Sequence, residues 1–150
     1  RRQRQMCIRD RESPIDAMVH LGDVEGSEDY IRILTDAPVY MVAGNNDFYT
    51  DLPGQAVIDL DGYRAFITHG HGYHVSYSPN RLVAEALHRN AQIAMYGHTH
   101  VPHLEQMEGV IVLNPGSLSY PRQAGREPSY IIMETTPDKQ VHFDIRYLRK

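Results

Sequence analysis

Cysteine is almost missing from this 150-residue chain: Cys7 stands alone, so no disulfide framework can staple the fold. Long apolar runs are missing as well, and with them any segment able to span a bilayer as a helix. Lys and Arg form no run beyond the first residues, and the formal net charge is -4 with a pI near 6.1. A nucleic-acid partner is therefore not indicated, and neither is a membrane. No secretion signal, lipidation motif, internal repeat or low-complexity stretch is visible. These absences lead to the expectation of a soluble protein of the reducing cytoplasm, in which a small anionic substrate would be met by a metal ion or by local donors. What is present suits a globular unit: 41% hydrophobic and 23% charged residues exclude the disordered class, and the length suits one domain with a full core.

The first eleven residues, RRQRQMCIRDR, stand apart. They show no strand or helix period, they are basic where the body is acidic, and they hold the only cysteine. Met6 to Arg11 matches what a reading frame through a common transposon sequencing adapter would encode. The expectation is that 1–11 is a non-native or disordered basic run and that 12–150 forms the domain, lacking an upstream piece.

From residue 13 onward the chain reads as strands that end in chemistry. Ala17 to Leu21 is an apolar strand followed by Gly22 and Asp23. An amphipathic helix follows, with Ser27 as N-cap and Tyr30, Ile31, Ile33 and Leu34 on its apolar face, ending near Asp36. Pro38 then opens a second strand that stops at Gly44, Asn45, Asn46 and Asp47, which completes a βαβ unit with both exits on one rim. Two strands joined by a tight Asp61-Gly62 turn lead to Thr68, His69, Gly70 and His71. After a Gly, Tyr and Ser linker, Pro79 starts a helix with Leu82, Val83, Ala86 and Leu87 at helical spacing. The apolar run Ile93 to Tyr96 then ends in Gly97, His98, Thr99 and His100. A polar turn at Glu108-Gly109, the strand VIVLN, a Pro115-Gly116-Ser117 turn and two last strands, 129–135 and 140–148, close the chain.

Taken singly, each of these exit residues is ordinary turn chemistry. Taken together, carboxylate, amide and imidazole on one rim, with no thiolate among them, are the donor set of a hard or borderline divalent ion. If the segment after Gly97 is extended, His98 and His100 point to the same side and can share one cavity.

At LGDVEG, GNND, THGH and GHTH, in that order, the chain resembles the calcineurin-like metallophosphoesterase superfamily, and NPGS at 114–117 is similar to its small prokaryotic phosphodiesterase branch. The resemblance implies an α/β fold, a four-layer αββα sandwich of two mixed sheets, here without its first strand and helix. It also implies a two-metal centre: Asp23 bridges both ions, Asn45, His69 and His98 complete one of them, and His100 belongs to the other. The family's opening Asp-x-His block is not found before Asp23, so the second ion keeps only Asp23 and His100.

The activity implied is hydrolysis of a small phosphoester, most specifically a phosphodiester, by a water activated between two ions about 3.5–4 Å apart. Asn46 and His71 would hold or polarise the phosphate; Asn46 stands where many members place histidine, and an amide cannot act as a general acid at neutral pH. Asp47 is expected to orient a neighbouring imidazole. The ligand set suits Mn2+, with Fe2+, Ni2+, Co2+ or Zn2+ as alternatives. The competing class is a non-catalytic binding or scaffold protein on the same fold, the role of a superfamily member in the eukaryotic retromer coat. Homo-oligomerisation is left open.

Overall fold

The computed structural model describes residues 15–22, 28–33, 35–47, 51–117, 122, 125 and 127–148. Among the described residues the first elements are β1 (Met18–His20), α1 (Glu28–Ile33) and β2 (Val39–Met41), and β1 pairs with β2 in parallel, as a βαβ unit requires. A hairpin of β3 (Gln55–Leu60) and β4 (Tyr63–Thr68) follows. Its turn places Asp61 at φ 53° and Gly62 at φ 88°, the doubly left-handed geometry that matches strand twist. Then come α2 (Asn80–His88), β5 (Ile93–Met95), β6 (His103–Met107), β7 (Val110–Asn114), β8 (Ser129–Thr135) and β9 (Val141–Tyr147).

Among the described residues the strands form a five-stranded mixed sheet, ordered β3-β4-β5-β7-β6, with β1-β2 and β8-β9 as separate two-stranded pairs. The three central strands β4, β5 and β7 run parallel, so their C-terminal ends share one rim. Their side chains alternate between two cores, which is why these strands read as continuous apolar runs. Phe66, Ala94, Tyr96, Val110 and Val112 pack with Leu82, Val83 and Ala86 of α2. Ala65, Ile67, Ile93, Met95 and Leu113 face the other way, against Val19, Leu21, Tyr40 and Val42 from the β1-β2 pair and Ile131, Met133 and Phe143 from the β8-β9 pair. The far side of β1-β2 is covered by Ile31 of α1, packed with Met18, Val39 and Met41. The order is therefore α2, five-stranded sheet, the two strand pairs, α1: the expected αββα layering. Phe66, Ile67, Leu82 and Ile93 are essentially without solvent contact, and each such side chain contributes roughly 1.5–3 kcal/mol of burial.

Three details differ from expectation. Strand β6 falls where only a polar turn was foreseen, because His-Leu-Glu-Gln-Met lacks an apolar pattern; it lies at a sheet edge and needs just Met107 against the core. Helix α1 is shorter than the apolar spacing predicts, and Ile33, expected on its buried face, is 75% exposed. The Ser27 cap, Leu34 and the 1–11 run lie outside the described residues. Among the described residues, no helix is long and apolar enough to cross a membrane.

Candidate metal centre

The rim is assembled around His69, which follows β4 and is only 2% exposed. Its Nδ1–H donates to the Leu21 carbonyl at the end of β1, 2.7 Å away, across the join between the two β layers. A carbonyl can only accept, so the proton is fixed on Nδ1 and the lone pair is fixed on Nε2. Nε2 lies 3.0 Å from Asn45 Oδ1 and 3.2 Å from His98 Nδ1. A lone pair facing an amide oxygen at this distance is repulsive unless a proton, a metal ion or an inverted amide relieves it. The pair has the donor chemistry a divalent cation uses, and the residues present fit such an ion.

This close approach is possible because of glycine. Gly22 sits at φ 109°, and a Cβ there would lie 2.5 Å from His69 Nδ1 and 2.9 Å from the Gly44 backbone nitrogen. Gly97 is nearly as tight: its Cβ would meet the Leu21 carbonyl at 3.2 Å. The Gly97 N–H donates to the His69 carbonyl (2.9 Å), which keeps the exits of β4 and β5 in step.

His98 and His100 both adopt left-handed backbone, at φ 66° and 60°. They are not in an extended segment, which corrects the reading that alternation aims them at one cavity. Non-glycine residues in this region cost about 1–3 kcal/mol and persist where neighbours over-determine them. The neighbour here is Asn114, fully buried at the end of β7. Its Nδ2 donates to the Gly97 carbonyl (3.0 Å) and Thr99 Oγ1 (2.9 Å), while its Oδ1 accepts the Gly116 N–H (2.9 Å). Sequence reasoning took NPGS as a family mark and missed Asn114 as the staple of the imidazole loop. An amide closing a wholly apolar strand was the signal.

His71 stands at the mouth of the cluster, its ring centroid 5.5 Å from that of His69 and 6.2 Å from that of His98. It is exposed, and it begins a short 3-10 turn (His71–Tyr73) after Gly70 at φ 105°. Asn45 and Asn46 occupy the turn that leaves β2. Asp47 closes that turn: its Oδ2 accepts the Gly44 N–H at 2.8 Å, and its own N–H donates to the Gly44 carbonyl at 3.2 Å. This hydrogen bond fixes the backbone carrying Asn45. His100 lies two residues past His98 on the same loop, its carbonyl accepting the Arg122 N–H (3.1 Å). Asp23 lies outside the described residues. Among the described residues, no three His, Cys, Asp or Glu side chains are grouped to hold an ion by themselves.

Beside the loop, Tyr96 O–H donates to His103 Nδ1 (2.8 Å), and His103 Nε2–H donates to Glu105 (2.9 Å). Burial, then the charge of Glu105, pushes the Tyr96 phenol up to about 12, so it remains a donor.

The chain matches known proteins over nearly its whole length. The model of the calcineurin-like phosphoesterase superfamily domain matches residues 1–138. YsnB of Bacillus subtilis (strain 168), a probable metallophosphoesterase, is 29% identical over 134 residues, covering 89% of this chain and 77% of that protein. Phosphodiesterase YfcE of Escherichia coli (strain K12) is 36% identical over 105 residues, 64% of this chain and 52% of that protein. Among solved structures, a conserved uncharacterized protein of Streptococcus pneumoniae TIGR4, described as a predicted phosphoesterase, superimposes with a TM-score of 0.77 at 30% identity, covering 98% of this chain and 91% of that one. Wild-type Vps29 of Entamoeba histolytica, complexed with Zn+2, shares the fold with a TM-score of 0.76 at 22% identity, over 95% of this chain and 88% of that one. With a family match spanning most of the sequence, the chain belongs to the calcineurin-like phosphoesterase superfamily.

Proposed function

We propose that this chain is a divalent-metal-dependent phosphoesterase whose preferred substrates are small phosphodiesters. The observation that carries the reading is the approach of Asn45 Oδ1 and His98 Nδ1 to the same atom, His69 Nε2, at 3.0 and 3.2 Å. The family and its named relatives support phosphoester hydrolysis, and the oxygen and nitrogen donors at the strand exits support the use of a divalent metal. Asp23, Asn45, His69 and His98 would hold one ion, and Asp23 with His100 a weaker second one. Mn2+ suits this oxygen and nitrogen set, and Fe2+, Ni2+, Co2+ or Zn2+ would also be accepted. When bound, the metal supplies positive charge against the phosphoryl oxygens and makes a water acidic enough to ionise near neutral pH.

The chain's own residues orient and bind. The Leu21 carbonyl holds His69 in the tautomer that puts the lone pair on Nε2, toward Asn45 and His98. Asp47 keeps the Asn45–Asn46 turn closed. Asn46 would donate its amide N–H to a phosphate oxygen, and His71, at the mouth of the cluster, would bind the phosphate from the other side. The Vps29 likeness keeps a scaffold reading in play, since that likeness speaks to the fold alone. Manganese-dependent turnover of an aryl phosphodiester separates the two readings. The expected result is weak but measurable activity that disappears in His98→Ala; ligand binding with no turnover under any metal would favour the scaffold.

A further inference from the structure

The loop 97–102 carries two imidazoles in left-handed backbone and would not hold that shape alone. Asn114 staples it from the inside. Its two ends are joined from the outside by a side-chain bond: Tyr96, the residue before the loop, donates to Nδ1 of His103, the residue after it. This bond crosses a strand. Tyr96 extends β5, His103 begins β6, and β7 lies between them in the sheet. The Tyr96 N–H bonds the Leu113 carbonyl of β7, and His103 is the register partner of Asn114 on the same strand. Tyr96, Asn114 and His103 thus form a row across three strand ends, directly beneath the loop. Glu105 completes the arrangement by accepting from His103 Nε2, which leaves Nδ1 with the lone pair that Tyr96 needs.

We infer that His103 is a positioning residue for metal binding: clasped by Tyr96 and oriented by Glu105, it closes the base of the 97–102 loop and thereby sets the pose of His98. The inference rests on the proposed metal site. A bond of purely structural use would add to the stability of an edge strand and leave the metal untouched. A clasp at the base of a strained, ligand-bearing loop instead changes how much ordering the metal must impose, so its loss lowers affinity.

Calorimetric titration of Mn2+ into the full chain, paired with melting of each metal-free protein, separates these cases. Tyr96→Phe and His103→Leu are each expected to weaken Mn2+ binding by roughly 10-fold, within the range seen when outer partners of metal ligands are removed. The double variant should lose less than the sum of the two single losses, because the Tyr96–His103 bond is counted in both, while Tyr96→Phe alone also removes the hydroxyl's contact with Asn114. His103→Asn, which keeps an acceptor near the Nδ1 position, should bind within about 3-fold of the unaltered chain, while Glu105→Gln should show a small loss. Unchanged affinity in both single variants overturns the inference, as do additive losses in the double variant or losses that merely track unfolding of the metal-free protein. If the unaltered chain shows no saturable Mn2+ binding, the metal reading itself fails and the inference with it; if it binds and only the clasp variants are silent, the clasp alone fails.

Discussion

The candidate site straddles two regions built in different ways. His69, His98 and Asn114 leave strands of a sheet that is covered on both faces, and the core beneath them is close to solvent-free. Asn45 and Asn46 leave a pair of three-residue strands whose turn is closed by Asp47. Packing supports the strands on both sides, but the ligand-bearing segment is held on the first by the buried Asn114 amide and on the second by the half-exposed Asp47 carboxylate. The two meet where the Leu21 carbonyl accepts the His69 Nδ1–H hydrogen bond beside Gly22. Geometry at that seam, more than the identity of any one ligand, decides whether imidazole and amide converge.

Breaking the seam should therefore have the largest effect. In Gly22→Ala the new methyl would overlap His69 Nδ1 and the Gly44 nitrogen, on a backbone at φ 109° that alanine disfavours. The expected cost is roughly 2–5 kcal/mol in urea unfolding, combining the left-handed penalty with overpacking. Mn2+ binding should fall with it. A variant that unfolds and binds like the unaltered chain would show that the seam is not tight.

Comparing the two supports sharpens the contrast between the regions. Asn114→Ala removes the acceptor of the Gly116 N–H and one of the two hydrogen bonds on the buried Gly97 carbonyl, which keeps that from the Thr99 N–H, and should cost about 1–3 kcal/mol along with metal affinity. Asp47→Ala releases a half-exposed turn, so about 0.5–1.5 kcal/mol is expected, with metal affinity reduced more than stability. Equal losses in stability from the two variants would erase the distinction between a buried brace and a half-exposed one.

The smallest effect belongs to the opposite end of the sheet. There Asp61 accepts from Thr135 Oγ1 (2.6 Å) and faces Lys139 Nζ at 3.6 Å. The hydrogen bond from Thr135 and then the Lys139 charge hold its carboxyl below the usual aspartate range. A lowered folded value means that this contribution is fully present above the unfolded pKa and is lost as pH falls through the folded one. Solvent screening keeps it small. Asp61→Asn should slightly flatten the acid limb of the melting-temperature profile, below about pH 4, while Mn2+ affinity stays as it was. A change in metal binding would mean that the two ends communicate.

Much of the packed region was legible in the sequence and less of the seam was. Apolar runs ending in glycine marked β4, β5 and β7, and the Asp61-Gly62 turn marked the hairpin, because burial on both faces and left-handed turns leave strong local signals. The exits of those strands named His69, His71 and His98 as neighbours, and Asn45 joined them across the layers. Left-handed backbone at His98 and His100 carried no such signal, since the hydrogen bonds that brace Gly97 and Thr99 on either side of His98 come from Asn114, distant in sequence. The edge strand β6 was missed for a related reason: a strand with one shallow contact to the core needs no apolar alternation. The clasp between Tyr96 and His103 could be seen only once β7 was known to lie between their strands.

The central claim, that amide and imidazole from two differently built regions converge on one divalent ion, is tested most directly by calorimetric titration of Mn2+ into the chain and into Asn45→Ala, His69→Ala and His98→Ala. The account predicts about one tightly bound ion per chain, with affinity falling at least roughly 10-fold in each variant. No saturable binding in the unaltered chain, or binding that survives in all three variants, would contradict it.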